Sequence, residues 1–382
     1  MAEQHQSPKA QYSPQQTEAE VKAGIDWISA LPDSLFLQII SMLPMIDACT
    51  TTILSKRWQC LRTCIHNLNC YRSKTSWSDE KFISFMDNAL PLLTSSNIKK
   101  FTLQFISELA LSNYTSKLDK WIQIALKKKV EHLDIDVWYL DSDSYSLPQK
   151  LCSNSSLVKL NCKDCRIPED RILNWTSLKS LTLSSMLLSE EHIEQITSNC
   201  RHLESLKLCG FCGFHRFYLT SPKCKSLELI DHIHHVYYIR CDCYFEIVAP
   251  YVQHLKISGD INGVEIRPGD LSSLIHIDLT YRRLDDVIDK SIVKDHFTRV
   301  ACANELIISS LHIEWSPFIE DDTTELTELM KCLLEHAKNL EKLIIIREDS
   351  DYSESIDSLL ALPRVSNCTV VVSLELVAGV EC

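Results

Sequence analysis

The chain has 382 residues, of which 45% are hydrophobic and 24% charged, and its formal net charge is −12. This length predicts two or three domains or one long array of repeats, and the composition is that of a globular protein. The acidic balance argues against a nucleic-acid or anionic-membrane surface, because such surfaces need a basic face. The seven glycines form neither a GxGxxG nor a Walker loop, which argues against a phosphate-cradling enzyme.

The sequence has no run of 18 apolar residues, and residues 1–24 lack the charged-then-apolar pattern of a secretory signal. We therefore expect an intracellular protein of the cytoplasm, the nucleus or both. In a reducing compartment the 17 cysteines are expected to pack as small hydrophobic residues rather than to form disulfides. Residues 1–24 are rich in Gln, Ser, Pro and charge, and this composition predicts a disordered tail.

Residues 31–61 are densely apolar. A first helix is predicted by apolar residues at i, i+4 spacing, namely Leu31, Leu35, Ile39 and Leu43. Pro32 and Pro44 suit the first turn of a helix, and Ser55 suits the N-cap of a third. Three helices of about ten residues cannot bury this surface among themselves, since domains below ~40 residues usually need a staple or a partner. The segment is therefore predicted to form one side of an interface.

The motifs of this segment resemble the F-box of plant F-box proteins. The resemblance is carried by Leu31-Pro32-Asp33, Leu43-Pro44, Asp47-Ala48 and Leu54-Ser55-Lys56-Arg57-Trp58. It implies a three-helix F-box over residues 25–68 that docks on a Skp-type adaptor. The residues expected to contact the adaptor are Leu31, Pro32, Leu35, Ile39, Leu43, Pro44, Ile53, Leu54 and Trp58. Some of them must instead pack the three helices together, and the sequence does not separate the two roles.

A different pattern follows a predicted linker and helix at residues 69–97. Ten segments have the form apolar-x-x-apolar-x-apolar, and their middle apolar residues are Phe101, Leu133, Leu160, Leu181, Leu206, Leu227, Leu255, Ile277, Leu306 and Leu343. Most steps are 21 to 32 residues long, near the 20–29 residues of leucine-rich repeats, which contribute one short strand each. The pattern predicts a solenoid in which inward side chains stack from repeat to repeat. Helices are expected between strands, as at 117–129 and 189–200.

The repeat region also resembles plant F-box proteins. The runs that carry the resemblance include VEHLDI at 130–135, CRHLESL at 200–206 and FEIVAP at 245–250. It implies a leucine-rich-repeat solenoid over residues 98–320. Residues 321–382 resemble the FBD tail of the same family and are expected to close the solenoid. The predicted fold is therefore α/β: a three-helix F-box followed by an irregular leucine-rich-repeat solenoid of short parallel strands alternating with helices.

Two CxxC pairs have the spacing of a zinc or redox site, Cys162 with Cys165 and Cys209 with Cys212. Zinc needs four ligands about 2.3 Å from one ion, whereas these pairs are expected on strands two repeats, or roughly 10 Å, apart. Cys162 also takes a leucine position of its repeat, so we expect it in the core.

A second cysteine and histidine cluster could form a tetrahedral metal site if the chain is extended there. Its residues are His232, His234, Cys241 and Cys243. Ordinary histidines and buried cysteines on alternating strands are the favoured interpretation. The acidic runs at 314–328 and 348–357 have no histidine or nucleophile fixed nearby, so solvated loops are expected there. We predict no catalytic, cofactor-binding or metal-binding residue.

The resemblance implies the substrate receptor of a cullin-based ubiquitin ligase. The F-box would hold the chain on a Skp-type adaptor and so on a cullin, while the solenoid holds an unidentified target protein. The chain would contribute proximity rather than chemistry. Two alternatives stay open, a ligand-dependent hormone co-receptor and an F-box scaffold outside a ligase. The first would need a basic pocket, and the compact basic runs are Arg282-Arg283 and Lys127-Lys128-Lys129. Neither a nucleic acid nor a membrane is an expected partner.

Overall fold

The protein is described here from a computed structural model. The described residues are 31–51, 66–71, 78–93, 98–107, 114–139, 144–231, 245–259, 264–266, 271, 273–281, 290–309, 330–347, 361–362 and 368–374. In this part of the chain, short strands alternate with helices or turns, as the repeat pattern predicts.

The helices of the described chain lie before the first strand and between the strands. Their bounds are α1 (Asp33–Met42), α2 (Met45–Thr50), α3 (Asp79–Ala89), α4 (Thr115–Lys127), α5 (Gln149–Cys152), α6 (Glu190–Asn199) and α7 (Lys290–Val300). A 3-10 turn at Leu90–Leu92 extends α3, and residues 330–336 are also helical. Helices α4 and α6 confirm the two predicted between strands, and α3 confirms the helix predicted before the repeats.

Twelve of the strands form one sheet. They are β1 (Asn67–Tyr71), β2 (Lys100–Ser107), β3 (His132–Tyr139), β5 (Lys159–Lys163), β7 (Ser180–Leu187), β8 (Ser205–Cys212), β10 (Ser226–Ile230), β12 (His254–Gly259), β14 (His276–Tyr281), β15 (Glu305–Ser309), β16 (Lys342–Arg347) and β17 (Thr369–Leu374). They follow one another in chain order, and every neighbouring pair is parallel. The α/β solenoid is therefore confirmed.

The remaining strands form two small parallel sheets beside the long one. One sheet consists of β4 (Tyr145–Ser146) and β6 (Cys165–Arg166), and the other of β9 (Arg216–Tyr218), β11 (Phe245–Val248) and β13 (Val264–Ile266). Four of these strands, β4, β6, β9 and β13, follow a strand of the long sheet after one to five residues, and β11 follows β10 after 14 residues. Together they form a second side of the coil.

The ten middle residues of the predicted repeats form a single column through the long sheet. Phe101 pairs with Leu133, and the pairing continues strand by strand to Leu343. None of the ten is more than 1% exposed. Leu68 of β1 and Val370 of β17 extend the column by one strand at each end. Burying a leucine-sized side chain stabilises the fold by about 1.5–3 kcal/mol, so the column is a main source of stability.

We call the twelve strands of the long sheet the ladder. In five consecutive strands of the ladder, from β5 to β12, the sixth residue counted from the start of the strand has a positive φ. These residues, with their φ angles, are Asp164 (54°), Ser185 (51°), Gly210 (58°), Asp231 (49°) and Gly259 (116°). The left-handed conformation is tolerated best by glycine and next by Asn or Asp. It breaks the alternation of the strand, because the fourth and fifth residues are both buried in β7, β8, β10 and β12. Each repeat therefore turns out of the sheet at the same position.

The first two helices cover the outer side of β1. Their buried side chains are Phe36, Ile40, Met45, Ile46 and Ala48. They join one hydrophobic core with Leu68 and Cys70 of β1. The Asn69 side chain donates a hydrogen bond to the Ser41 carbonyl at 3.1 Å, and Pro44 forms an isolated β-bridge with Asn69. The predicted third helix lies outside the described residues, so α1 and α2 are the part of the F-box whose packing is defined.

Helices α3 and α4 pack behind the first strands of the ladder. The Phe82 ring lies 6.0 Å from both Phe105 and Trp121, edge to face with the latter. All three rings are fully buried, and edge-to-face aromatic pairs add about 0.5–1.5 kcal/mol to burial itself. None of the helices in the described part of the chain is long and apolar enough to cross a membrane.

Candidate docking face of the N-terminal helices and the outer face of the ladder

Helix α1 presents apolar side chains on two neighbouring sides, one buried and one exposed. Phe36 and Ile40 are 1% exposed and face β1. Leu35, Ile39 and Met42 are 48%, 45% and 74% exposed and recur at i, i+4 and i+7. Residues at this spacing lie on one side of a helix. We call these three residues the α1 stripe.

Helix α1 begins at Asp33, with Pro32 in the N-cap position. The Phe36 amide donates to the Pro32 carbonyl at 3.0 Å, which closes the first turn. Proline just before the helix fixes the direction in which the chain approaches, and Asp33 places a negative charge at the positive end of the helix dipole. Pro44 has the same N-cap position for α2. These local signals set where α1 and α2 begin, whereas the packing of Phe36 and Ile40 on β1 sets which side carries the α1 stripe.

The structure divides the residues that were predicted to contact the adaptor. Pro32, Leu35 and Ile39 are exposed, and Leu31, Leu43 and Pro44 are half-buried. Leu43 packs against the hydrophobic core that the helices share with β1, so part of its surface serves the fold. Ile53, Leu54 and Trp58 lie outside the described residues.

Met42 is the most exposed of the large hydrophobic side chains of the described chain, and sequence reasoning did not place it among the contact residues. Its spacing from Leu35 and Ile39 is the signal that could have found it. Three large exposed apolar side chains on one helix face form an apolar patch, which makes this face a candidate contact surface. An amphipathic helix laid into an apolar groove is a recurrent mode of protein recognition. The α1 stripe has the form of such a helix face.

The outward face of the long sheet changes in character along the ladder. The third residue of each strand forms one outward column, which runs Asn69, Thr102, Asp134, Asn161, Thr182, Lys207, Glu228, Lys256, Asp278, Ile307, Ile344, Val371. It is polar or charged from β1 to β14 and aliphatic from β15 to β17. The face therefore offers a polar surface next to a short aliphatic one.

The charged residues of the outward face pair with one another across neighbouring strands. Asp134 accepts a hydrogen bond from Asn161 at 2.6 Å and lies 3.1 Å from the ammonium of Lys100. Lys256 and Asp278 are 2.7 Å apart. Because these charges already have partners, a ligand on this face would compete with existing ion pairs.

Glu305 is the centre of a second group of ion pairs near the aliphatic end. Lys342 donates to one of its oxygens at 2.7 Å, and the His276 ring lies 3.1 Å from the other. These hydrogen bonds, from Lys342 first and then His276, hold the pKa of Glu305 below its usual value. The charge of Glu305 is therefore compensated locally.

Asp164, which follows β5, has a pKa shifted in the opposite direction. Burial and then the nearby charge of Asp136 raise the pKa of Asp164.

The cysteines of the two CxxC pairs are placed as predicted. Cys162 pairs in register with Ile135 and Leu183 and is 1% exposed, which confirms its place in the core. Burial raises the pKa of its thiol and that of Cys165. Strand β7 lies between β5, which carries Cys162, and β8, which carries Cys209 and Cys212, while Cys165 follows Cys162 in β6. The two pairs are therefore two strands apart, too far to share one ion.

Other candidate sites are only partly covered by the structure. Among the described residues, no group of three or more His, Cys, Asp or Glu side chains could hold a metal ion. The cluster at 232–243, the acidic runs at 314–328 and 348–357, and Arg282-Arg283 lie outside the described residues. The last basic run, at 127–129, ends α4 and precedes β3.

These observations define a parallel leucine-rich-repeat solenoid whose first strand is covered by two F-box helices, one of which exposes an apolar face. Comparison with known proteins agrees. An F-box domain family matches residues 28–61, and a family described as the LRR repeats of FBD-associated F-box protein At5g56370 matches residues 118–259. Together these matches cover the α1 stripe and the ladder from α4 to β12.

Curated relatives from Arabidopsis thaliana share the same organisation. The putative F-box/LRR-repeat protein At3g18150 is 31% identical over 261 residues, which cover 65% of this chain and 51% of that protein. F-box/FBD/LRR-repeat protein At2g26030 is 27% identical over 395 residues, which cover 93% of this chain and 87% of the relative. The chain spans about half the length of the first relative and most of the second. The resemblance to plant F-box/leucine-rich-repeat proteins is confirmed.

Proposed function

We propose that this chain is the substrate-recognition subunit of an SCF-type ubiquitin ligase. The F-box helices dock on a Skp-type adaptor, the adaptor binds a cullin, and the ladder holds a target protein. The observation that carries the proposal is the α1 stripe, in which Leu35, Ile39 and Met42 are exposed while a neighbouring side of the same helix is packed on β1.

The α1 stripe is suited to docking for an energetic reason. Fully burying one leucine, isoleucine or methionine side chain stabilises a complex by about 1.5–3 kcal/mol relative to leaving it in water. Because α1 is already folded, binding does not have to order its backbone, which favours affinity. Pro32, exposed at the start of α1, lies at one end of this surface.

The ladder is suited to holding a target away from the adaptor. Its twelve strands extend over eleven steps from β1, beside the F-box helices, to β17. At ~4.8 Å per step the sheet is roughly 50 Å long. A target on its outward face would be held at a fixed place relative to the adaptor. The proposed contribution of the chain is thus a high effective concentration of target near the ubiquitin donor, with no catalytic residue of its own.

Co-purification of the complete assembly tests the proposal. The chain is co-expressed with a Skp-type adaptor from the same plant lineage, and the purified pair is mixed with a cullin before size-exclusion chromatography. We expect the chain, the adaptor and the cullin to elute together. A chain that elutes free of the adaptor contradicts the docking, and one that binds the adaptor while its complex excludes the cullin contradicts the ligase role.

A matched pair of variants makes the test specific to α1. Leu35→Lys places a charge on the α1 stripe, and Leu187→Lys makes the same change at an equally exposed leucine of the ladder, 59% against 48% exposed. We expect Leu35→Lys to lose the adaptor and Leu187→Lys to retain it. Equal retention by both variants would contradict docking through α1.

A further inference from the structure

The two edge strands of the long sheet, β1 and β17, differ in what packs against them in the described chain. Strand β1 is covered by α1 and α2, whose side chains pack on Leu68 and Cys70. Among the described residues, β17 pairs only with β16. An uncovered strand edge presents a row of amide and carbonyl groups that can pair with another strand.

The inward side chains of β17 are also less buried than those of the neighbouring strand β16. Leu343 and Ile345 of β16 are 1% and 2% exposed, but their neighbours on β17, Val370 and Val372, are only partly buried. Val371, on the outward face, is 39% exposed. A further strand beside β17 would bury the two inward valines as deeply as the preceding repeats bury their residues.

The sequence of β17 is complementary to itself. Residues 369–373 are Thr, Val, Val, Val and Ser, with no charge. In an antiparallel pair centred on Val371, this residue lies opposite its own copy, and Val370 lies opposite Val372 of the other copy. Residues directly opposite lie on the same face of a sheet, so inward valines meet inward valines. β-Branched pairs stabilise such contacts and like charges would oppose them.

We propose that β17 is a self-association edge, through which two copies of this chain join their long sheets about a two-fold axis at Val371. A two-fold contact uses the same residues on both copies, and β17 meets this condition. A different strand-forming peptide would also need an uncharged, β-branched segment, whereas a second copy supplies one in matched register. The dimer would carry its two α1 stripes at opposite ends of the joined sheet.

The aliphatic end of the outward column supports the same arrangement. Ile307, Ile344 and Val371 are neighbours on β15, β16 and β17. In the joined sheet they would meet the same three residues of the second copy and form one aliphatic band across the two-fold axis. The charged neighbour Glu305 is already paired with Lys342 and His276, so its own charge is compensated beside the contact.

Sedimentation velocity over a range of concentrations, on the purified full chain, tests the proposal through a charge exchange. We expect the wild-type chain to form a dimer. Val371→Lys and Val371→Glu should each raise the dimer dissociation constant by about tenfold or more, because like charges then lie directly opposite each other. An equimolar mixture of the two variants should restore dimers, because lysine then faces glutamate across the axis.

Two controls separate this contact from other causes of association. Thr182→Lys, on the half-buried outward face of the central strand β7, should leave the dimer unchanged. Association through the exposed α1 stripe would not respond to changes at Val371. The circular dichroism melting curve of each variant establishes that it folds.

Three results would overturn the proposal. The first is a full-length wild-type chain that stays monomeric at all concentrations, even if a chain shortened after Leu374 dimerises. The second is a dimer that persists in Val371→Lys. The third is a failure of the charge-exchanged mixture to restore dimers although both variants are folded. These outcomes do not depend on the adaptor, so they are separate from the test of the proposed function.

Discussion

The sulfur of Cys70 in β1 lies 3.6 Å from the sulfur of Met45 in α2. This contact lies in the hydrophobic core that joins the F-box helices to the first strand of the ladder, where both residues are buried. Two modules that share a core are expected to unfold together. The F-box helices are therefore a cap of the solenoid as well as a candidate docking surface.

Met45→Ala should destabilise the cap and the first strand together. Removing a buried methionine side chain costs about 2–5 kcal/mol, and we expect this loss in the free energy of unfolding. Hydrogen exchange should show reduced protection in both α2 and β1. Met42→Ala is the control, because Met42 is 74% exposed and a surface change away from packed features costs about 0.5 kcal/mol or less. Full protection of β1 in Met45→Ala would contradict a shared core.

Asp87 joins α3 to α4 and should contribute a pH-dependent part of the stability. It accepts hydrogen bonds from Lys117 at 2.5 Å, from Trp121 at 3.1 Å and from Lys120 at 3.2 Å. Burial alone would raise the pKa of Asp87, but these hydrogen bonds outweigh it and lower the pKa. A carboxyl group whose pKa is lower in the folded chain stabilises the fold above its ordinary pKa, and this stabilisation is lost as the pH falls through the folded value.

Asp87→Asn should therefore lower the free energy of unfolding at pH 7 by about 1–3 kcal/mol. The difference from wild type should shrink as the pH falls below about 4. Chemical denaturation at several pH values measures both effects. Asp170→Asn provides the control, since Asp170 is 75% exposed and lies 3.7 Å from Arg171. A difference at Asp87 that does not depend on pH would contradict the role given to its charge.

Position 213 requires a glycine for two reasons, its backbone conformation and the close approach of neighbouring atoms. Its φ is +101°, and a Cβ atom there would lie 2.4 Å from the Leu188 carbonyl oxygen and 2.7 Å from a Leu187 side-chain carbon. Gly213→Ala should destabilise the fold by about 3 kcal/mol or more, through strain and a backbone clash. Gly210→Ala should cost only about 1 kcal/mol, because Ser185 has a similar φ at the equivalent position of β7. Equal melting temperatures for the two variants would contradict this difference.

The buried thiols should be protected from alkylation in the folded chain. Burial raises the pKa of Cys162, and it raises the pKa of Cys152 to about 11. Since the thiolate is the reactive form, neither residue should react with iodoacetamide at pH 8 until the chain unfolds. Cys212 is only half-buried and should react faster, although burial also raises its pKa. Mass spectrometry of the labelled peptides gives the order of reaction, and rapid labelling of Cys162 would exclude a core position.

The ladder could be predicted from sequence because its signal is local and recurs. Apolar residues alternate within each strand, and the pattern recurs at intervals of mostly 21 to 32 residues. This signal identified ten residues that form a single column in the structure, from Phe101 to Leu343. Strand β1 was missed although Ile65, Leu68 and Cys70 have the same spacing. They lie in the stretch assigned to the F-box, so the pattern was not sought there. The first strand of the long sheet therefore begins inside the range that was predicted for the F-box.

The division of roles on α1 could not be predicted in the same way. Apolar residues occur around most of this helix, so periodicity alone does not say which side is buried. The packing of Phe36 and Ile40 on β1, a contact between residues distant in sequence, decides it. The exposure of Met42 follows from the same contact. The position of β17 as the last strand of the described sheet is likewise a property of the sheet and not of a local pattern.

Calorimetric titration of the chain with a purified Skp-type adaptor tests the central claim most directly. The wild-type chain should bind the adaptor with one-to-one stoichiometry. Ile39→Lys on the α1 stripe should weaken binding at least a hundredfold, about 2.7 kcal/mol, while the melting temperature of the ladder stays unchanged. Ile172→Lys, at a 65% exposed isoleucine of the ladder, should bind as wild type does. Equal affinity of Ile39→Lys and Ile172→Lys for the adaptor, or no binding by the folded wild-type chain, would contradict the account.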